Sequence, residues 1–286
     1  MHTRTGMVTS PQRLGVDGTL YVRNRSTGEV FGYPHRPGPV GPGSYGPPVR
    51  IGTGFLPEVA PVLAAGDFHG DGGLELLCVL PGGAEVLLPV PGSVAASDLA
   101  SGSVTASGLT TGSVTASDRP AGSGTASAPT TQVVVVRSVK GRPAQVLRAA
   151  PDGTVRLSTA LAPDDGETLT TIDPGAVLLG MGDVTGTGRP NLLLRRTDGG
   201  VSACEFLSTP GAGRLWHDLG AGFDDAVVVG ATDVGGDGLA DLLAIGRDGR
   251  LWVFPHSGVF WPQYPAVTFL TPVPVADGVD AFDVIG

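Results

Sequence analysis

Residues 227–246 read VVVGATDVGGDGLADLLAIG, and the chain says this sentence three times. Residues 62–80 read VLAAGDFHGDGGLELLCVL, and residues 177–195 read VLLGMGDVTGTGRPNLLLR. Each version joins two short apolar runs through a Gly-rich loop opened by an Asp. Runs of Val and Leu bounded by Gly, Asp and Pro are the signature of strands. Asp183 and Asp233, the equivalent first residues of two loops, are fifty residues apart. A solenoid coil takes about 20–45 residues, whereas fifty fits one four-stranded propeller blade.

Working outward, ADLLAIGRDGRLWVFPHSG from Ala240 matches TLYVRNRSTGEVFGYPHRPG from Thr19: strand, polar turn, aromatic strand, Pro-His, Gly. AQVLRAAPDGTVRLS from Ala144 carries the same strand pair after VVVVRSVKGRP, where a basic turn around Lys140 replaces the acidic loop. Five repeats result, centred near Leu20, Leu76, Val146, Leu192 and Leu242. The first lacks a leading strand. The chain ends on VDAFDVIG from Val279, a leading strand with no repeat after it, and Asp283 lies one further period beyond Asp233. The sequence therefore predicts an all-β, five-bladed propeller over residues 1–286, its ring closed by the C-terminal strand completing the first blade. Closure removes the edge that an open array exposes. The competing reading is a fragment of a larger propeller.

Residues 92–131 stand apart as four Ser/Thr/Ala/Gly decapeptides without an aromatic residue. They bury too little apolar surface to offset their ordering entropy, so the expectation is a disordered insertion at the outer strand of the second blade.

Composition agrees with the repeats. There are 46 glycines and 25 prolines among 286 residues, and no stretch sustains a 3.6-residue period. The net charge of −9 offers no basic stripe for nucleic acid. No apolar run reaches the ~18–20 residues of a membrane helix. The opening MHTRTGMVTSPQRLG lacks the apolar centre of a signal peptide, which implies an intracellular protein or a start lying upstream. A monomer is expected. Cys78 and Cys204 fall in apolar runs of different repeats and read as small buried hydrophobes.

The loops carry the candidate chemistry. Asp67, Asp71 and Glu75 stand at positions one, five and nine of the first, and Asp233, Asp237 and Asp241 at the same positions of the third. Oxygen side chains at this spacing, a Gly at six and the carbonyl of residue seven (Gly73 or Leu239) suit a hard cation such as Ca²⁺, which takes 6–8 oxygens. The middle loop keeps one carboxylate, Asp183, with Thr185, Thr187 and Asn191, and is a weak metal candidate. The alternative for all three is an Asp/Gly turn that caps its own backbone N–H groups.

The motifs GDFHGDGGLELL, GDVTGTGRPNLL and TDVGGDGLADLL, with the DGRLWVFPHSG strand pair, resemble the FG-GAP or VCBS repeats of integrin-type propellers. The resemblance covers the chain apart from the decapeptides. It implies Ca²⁺ held by Asp67, Asp71 and Glu75 in one blade and by Asp233, Asp237 and Asp241 in another. It also implies a secreted or cell-surface binding module for protein or carbohydrate. Position three departs from the family's Asp or Asn: it is His69 in one loop and Gly235 in the other. Imidazole is a poor ligand for a hard cation, so His69 is expected to point to solvent.

His35 and His256 recur in one Pro-His context, which favours a role in the repeat over catalysis. Trp252 and Tyr33 are expected between blades. Trp216 and Trp261, near loops, are candidates for stacking on a sugar, as in a lectin-like propeller. A hydrolase or lyase would gather carboxylates at the axis, and no nucleophile motif supports one. A degenerate scaffold for protein contacts is the third class.

Overall fold

The computed structural model describes residues 19–36, 38–80, 84–90, 104–105, 132–139, 142–206, 213–220, 223, 226–279 and 282–284. The first repeat forms β1 (Leu20–Asn24), β2 (Val30–Tyr33) and β3 (Val49–Thr53). The second forms β4 (Val62–Gly66), β5 (Glu75–Val79) and β6 (Glu85–Pro89), and β7 (Val104–Thr105) falls within the decapeptides. The third comprises β8 (Gln132–Val139), β9 (Arg142–Ala149), β10 (Thr154–Thr159) and β11 (Glu167–Thr171). The fourth comprises β12 (Val177–Gly182), β13 (Asn191–Arg195), β14 (Val201–Phe206) and β15 (Arg214–Gly220). The fifth comprises β16 (Ala226–Thr232), β17 (Asp241–Gly246), β18 (Leu251–Phe254) and β19 (Val273–Ala276), and β20 (Phe282–Val284) follows.

These strands build five sheets, one per repeat, arranged as a five-bladed β-propeller. Within each blade, neighbours run antiparallel in chain order, as short connections require. The leading strands β4, β8, β12 and β16 adjoin one another around the ring. β20 pairs antiparallel with β1, placing Val22 opposite Val284 and Asn24 opposite Phe282. The end of the chain thus supplies the strand that the first repeat lacks, as the fifty-residue period predicts. No helix among the described residues is long and apolar enough to cross a membrane.

The second blade shows three strands among the described residues. β7 adds in parallel to β3 of the first blade, opposite Gly52 and Thr53. The rest of residues 92–131 lies outside the described residues, as do Lys140 and Gly141 of the basic turn.

The core lies between the blades. Side chains alternate along a strand, so each strand of a blade serves two seams. In β17, Leu242 and Ala244 pack with Leu179 and Leu193 of the fourth blade, while Leu243 and Ile245 pack with Leu20 and Val22 of the first. Full burial of one such Leu is worth about 1.5–3 kcal/mol, so the seams hold the ring.

Polar struts cross the same seams. Arg23 donates to the Ala60 carbonyl between blades one and two. Arg148 meets Glu85 through two bonds of 2.9 and 2.8 Å between blades two and three. Gln132 donates to the Ala176 carbonyl and accepts from the Leu178 N–H, both at 2.8 Å, between blades three and four. Arg195 donates to the Val228 carbonyl at 3.0 Å between blades four and five.

Candidate functional site

The three Asp/Gly loops join β4 to β5, β12 to β13 and β16 to β17, on one face of the ring. They share one skeleton. Position one receives three backbone N–H groups: Asp67 from Gly70, Asp71 and Gly72 at 2.6–3.1 Å; Asp183 from Thr185, Thr187 and Gly188 at 2.6–3.2 Å; and Asp233 from Gly236, Asp237 and Gly238 at 2.5–3.1 Å. Wrapping the backbone this tightly needs positive φ at positions four and six, 79° at Gly236 and 91° at Gly238, which glycine adopts without a steric cost. Position two turns inward as Phe68, Val184 or Val234, all buried.

Position nine closes the loop from the strand side. Glu75 accepts from the Phe68 and His69 N–H groups at 2.9 and 3.1 Å. Asn191 accepts from Val184 at 3.0 Å. Asp241 accepts from Val234 and Gly235 at 2.8 and 3.1 Å through one oxygen and from the His256 N–H at 2.7 Å through the other. At position five, Asp71 and Asp237 each cap a backbone N–H two residues on, at 2.8 and 2.9 Å.

The loops are also tied across seams, which explains the recurring histidines. His256 Nδ1 accepts from the Gly258 N–H at 3.0 Å, which leaves the proton on Nε2. Nε2 then donates to the Val184 carbonyl of the preceding blade's loop at 3.1 Å. His35 does the same to the Val234 carbonyl at 3.0 Å, across the seam where the ring closes. Backbone bonds run alongside, from Ala240 N–H to the Asp183 carbonyl and from Ala144 N–H to the Asp67 carbonyl. Val184 and Val234, at residue two of their loops, are thus core side chains whose carbonyls accept across a seam. The recurrence of Pro-His in the sequence was the visible trace of these struts; the partner carbonyls left no trace.

The electrostatics differ between loops. Asp241 is 2% exposed, and burial pushes its carboxyl above the usual carboxylate range. Three backbone N–H groups oppose that shift, while the charge of Asp237 adds to it. The buried Tyr45 phenol across the seam is pushed up by burial and, second, by Asp241. In the second blade, His69 is exposed to solvent as expected and also meets a loop carboxylate. Its side chain is 49% exposed, and Nδ1 lies 2.5 Å from Glu75 Oε1, so position three partners position nine inside the loop.

These donor sets fit a hard cation unequally. The fifth-blade loop fits by residue type: three carboxylates, one of them buried and disfavoured in its charged form. The second-blade loop fits only if His69 yields Glu75. The fourth-blade loop does not fit. Asn191 is fully buried, and its Nδ2, which has no partner, presents a donor where Asp241 presents an oxygen. In the described conformation the carboxylates face backbone N–H groups, and no three acidic, His or Cys side chains among the described residues converge on one point.

The aromatic candidates separate. Tyr33 is 6% exposed and packs at the seam with the fifth blade, whereas Trp252 is partly buried and donates to Asp248 at 3.2 Å. Trp216 is 42% exposed in the middle of β15 rather than near a loop, and Trp261 is 51% exposed in the excursion between β18 and β19. Cys78 and Cys204 are free and buried, and burial pushes their thiols up to about 12 and about 11. No protein-family model matches the chain, and no curated protein matches it significantly.

Proposed function

We propose that the protein is a non-catalytic binding or scaffold propeller of the FG-GAP/VCBS type, stabilised by Ca²⁺ in its fifth-blade loop and more weakly in its second. The observation that carries this reading is the fourth-blade loop. It keeps the position-one and position-nine bonds with Thr187 and Asn191 at positions five and nine, so those bonds do not require carboxylates there. The acidic residues at those positions in the other loops serve something besides the turn. Asp241 is buried beside the charge of Asp237, and a cation between them relieves both the burial cost and the repulsion. Binding the folded form alone raises stability by mass action, and a loop short of one ligand suits millimolar Ca²⁺, as outside the cell. On this reading the metal stiffens one face, which presents the connecting loops to a protein or carbohydrate partner.

Thermal melts in EGTA and across a Ca²⁺ titration test it, with Asp237→Asn alongside. Asparagine keeps an oxygen for the Leu239 N–H but removes the charge. The expected result is a Ca²⁺-dependent rise in Tm that Asp237→Asn diminishes. A flat response in the parent protein overturns the metal and leaves a scaffold built on residual turns.

A further inference from the structure

On the face opposite the Asp/Gly loops, the seam between the fourth and fifth blades opens into a cavity of about 380 Å³. β13 spans five residues, about 17 Å, from its Asp/Gly loop to the turn at 196–200 that borders this cavity. The volume lies in the range of about 300–1,000 Å³ typical of small-molecule sites. Its walls include Val177, Phe223, Ala226 and Val227, together with Thr197.

Arg195 also lines it. Its Nη1 donates to the Val228 carbonyl, and no carboxylate of the described residues pairs with it. None of its nitrogens is among the buried atoms left without a partner, so the unbonded ones open to solvent through the cavity. The neighbouring Arg196 is different: it is committed to Asp198 and Asp218 at 3.1 and 2.9 Å and to Ser202 at 2.9 Å. Asp198, the acid at the rim, is held by Arg196 and by the Gly200 N–H, which keeps its charge answered. Burial around Arg195 disfavours its cationic form. Arg23 occupies the equivalent place in the first blade and makes the same kind of strut, yet is 2% exposed.

We propose that this cavity binds a small organic carboxylate, its anion paired by Arg195 and its apolar body laid against Phe223, Val177 and Val227. A guanidinium presents a donor fork matched to a carboxylate, and the apolar side chains offer a surface to a ligand's hydrocarbon part. The site is independent of the metal loops and stands or falls without them.

Calorimetry in EGTA tests it, with benzoate, neutral benzamide and inorganic phosphate as probes. The expected result is saturable benzoate binding, with benzamide weaker by about tenfold or more, the weight of one charge-assisted contact. Arg195→Met should weaken benzoate similarly, with folding checked by circular dichroism. Ala226→Leu fills the cavity while leaving the Arg195–Val228 bond in place, and should also weaken benzoate, which keeps the test decisive if Arg195→Met fails to fold. Absence of saturable benzoate binding, equal affinity for benzamide, phosphate binding as tightly as benzoate, or benzoate affinity unchanged in Ala226→Leu overturns the proposal.

Discussion

In the fifth blade, Asp233, Asp237 and Asp241 occupy the loop positions where the fourth blade carries Asp183, Thr187 and Asn191, yet the backbone follows the same course in both. Both loops gather three N–H groups on the first Asp, and both tie residue two to residue nine. The fourth-blade loop therefore carries less charge on the same turn. Position one is an acid in all three loops and answers three backbone donors in each. Position nine must offer an oxygen, charged or not, and position five is free.

The sharpest way to break this comparison is to exchange position nine. Asn191→Asp places a carboxylate in a fully buried site where one of its oxygens has no donor. In EGTA it should cost about 3 kcal/mol in urea denaturation, chiefly as the penalty of an unanswered buried charge. Asp241→Asn should cost less, about 1–2 kcal/mol, because an amide N–H₂ must then face either the His256 N–H or the Val234 N–H. If Asn191→Asp is neutral, the two sites are not distinguished by their polar surroundings.

A smaller effect is expected from position one, and here the loops should agree. Asp183→Ala and Asp233→Ala each remove the acceptor of three N–H groups that solvent partly reaches, so each should lose about 1 kcal/mol in EGTA. A silent substitution in either loop would show that the glycines alone fix its course.

Much of this was legible in the sequence, and for a physical reason. The fifty-residue period and the orphan strand at VDAFDVIG determine blade number and closure, because a leading strand without a repeat and a repeat without a leading strand complete each other. The loops were legible because Gly and Asp punctuate them at fixed positions. What stayed hidden was everything that depends on a neighbouring blade. His35 and His256 were visible as a recurrence, but their acceptors are backbone carbonyls of Val234 and Val184, and a carbonyl leaves no mark on residue identity. Position four is glycine in all three loops, at Gly70, Gly186 and Gly236, and its positive φ was as readable as that of position six. His69 is exposed, as its poor ligand chemistry implies, but its contact with the loop's own Glu75 left no mark in the sequence. The cavity beside Arg195 had no sequence signal, because it depends on the spacing of two blades.

The smallest effect lies on the opposite face, where the two blades again diverge. In the fourth blade the turn at 196–200 places Arg196 between Asp198 and Asp218. In the fifth, the equivalent Asp248 accepts instead from the Arg250 N–H and from Trp252. The N–H groups of Gly200 and Gly220, and then Arg196, hold the carboxyls of Asp198 and Asp218 below the usual range. A depressed carboxylate contributes stability above its unfolded value of about 3.9 and loses it as pH falls through the folded values below. Arg196→Gln removes the second cause and leaves the first. Melting temperatures compared between pH 2 and pH 6 should therefore show the variant below the parent at pH 6, with the gap narrowing toward pH 2. These side chains are largely exposed and screened, so the gap should be the least of the effects argued here. Parallel curves across that range would mean that the turn is held by its backbone N–H groups alone, and that the arginine of the fourth blade adds charge without adding stability.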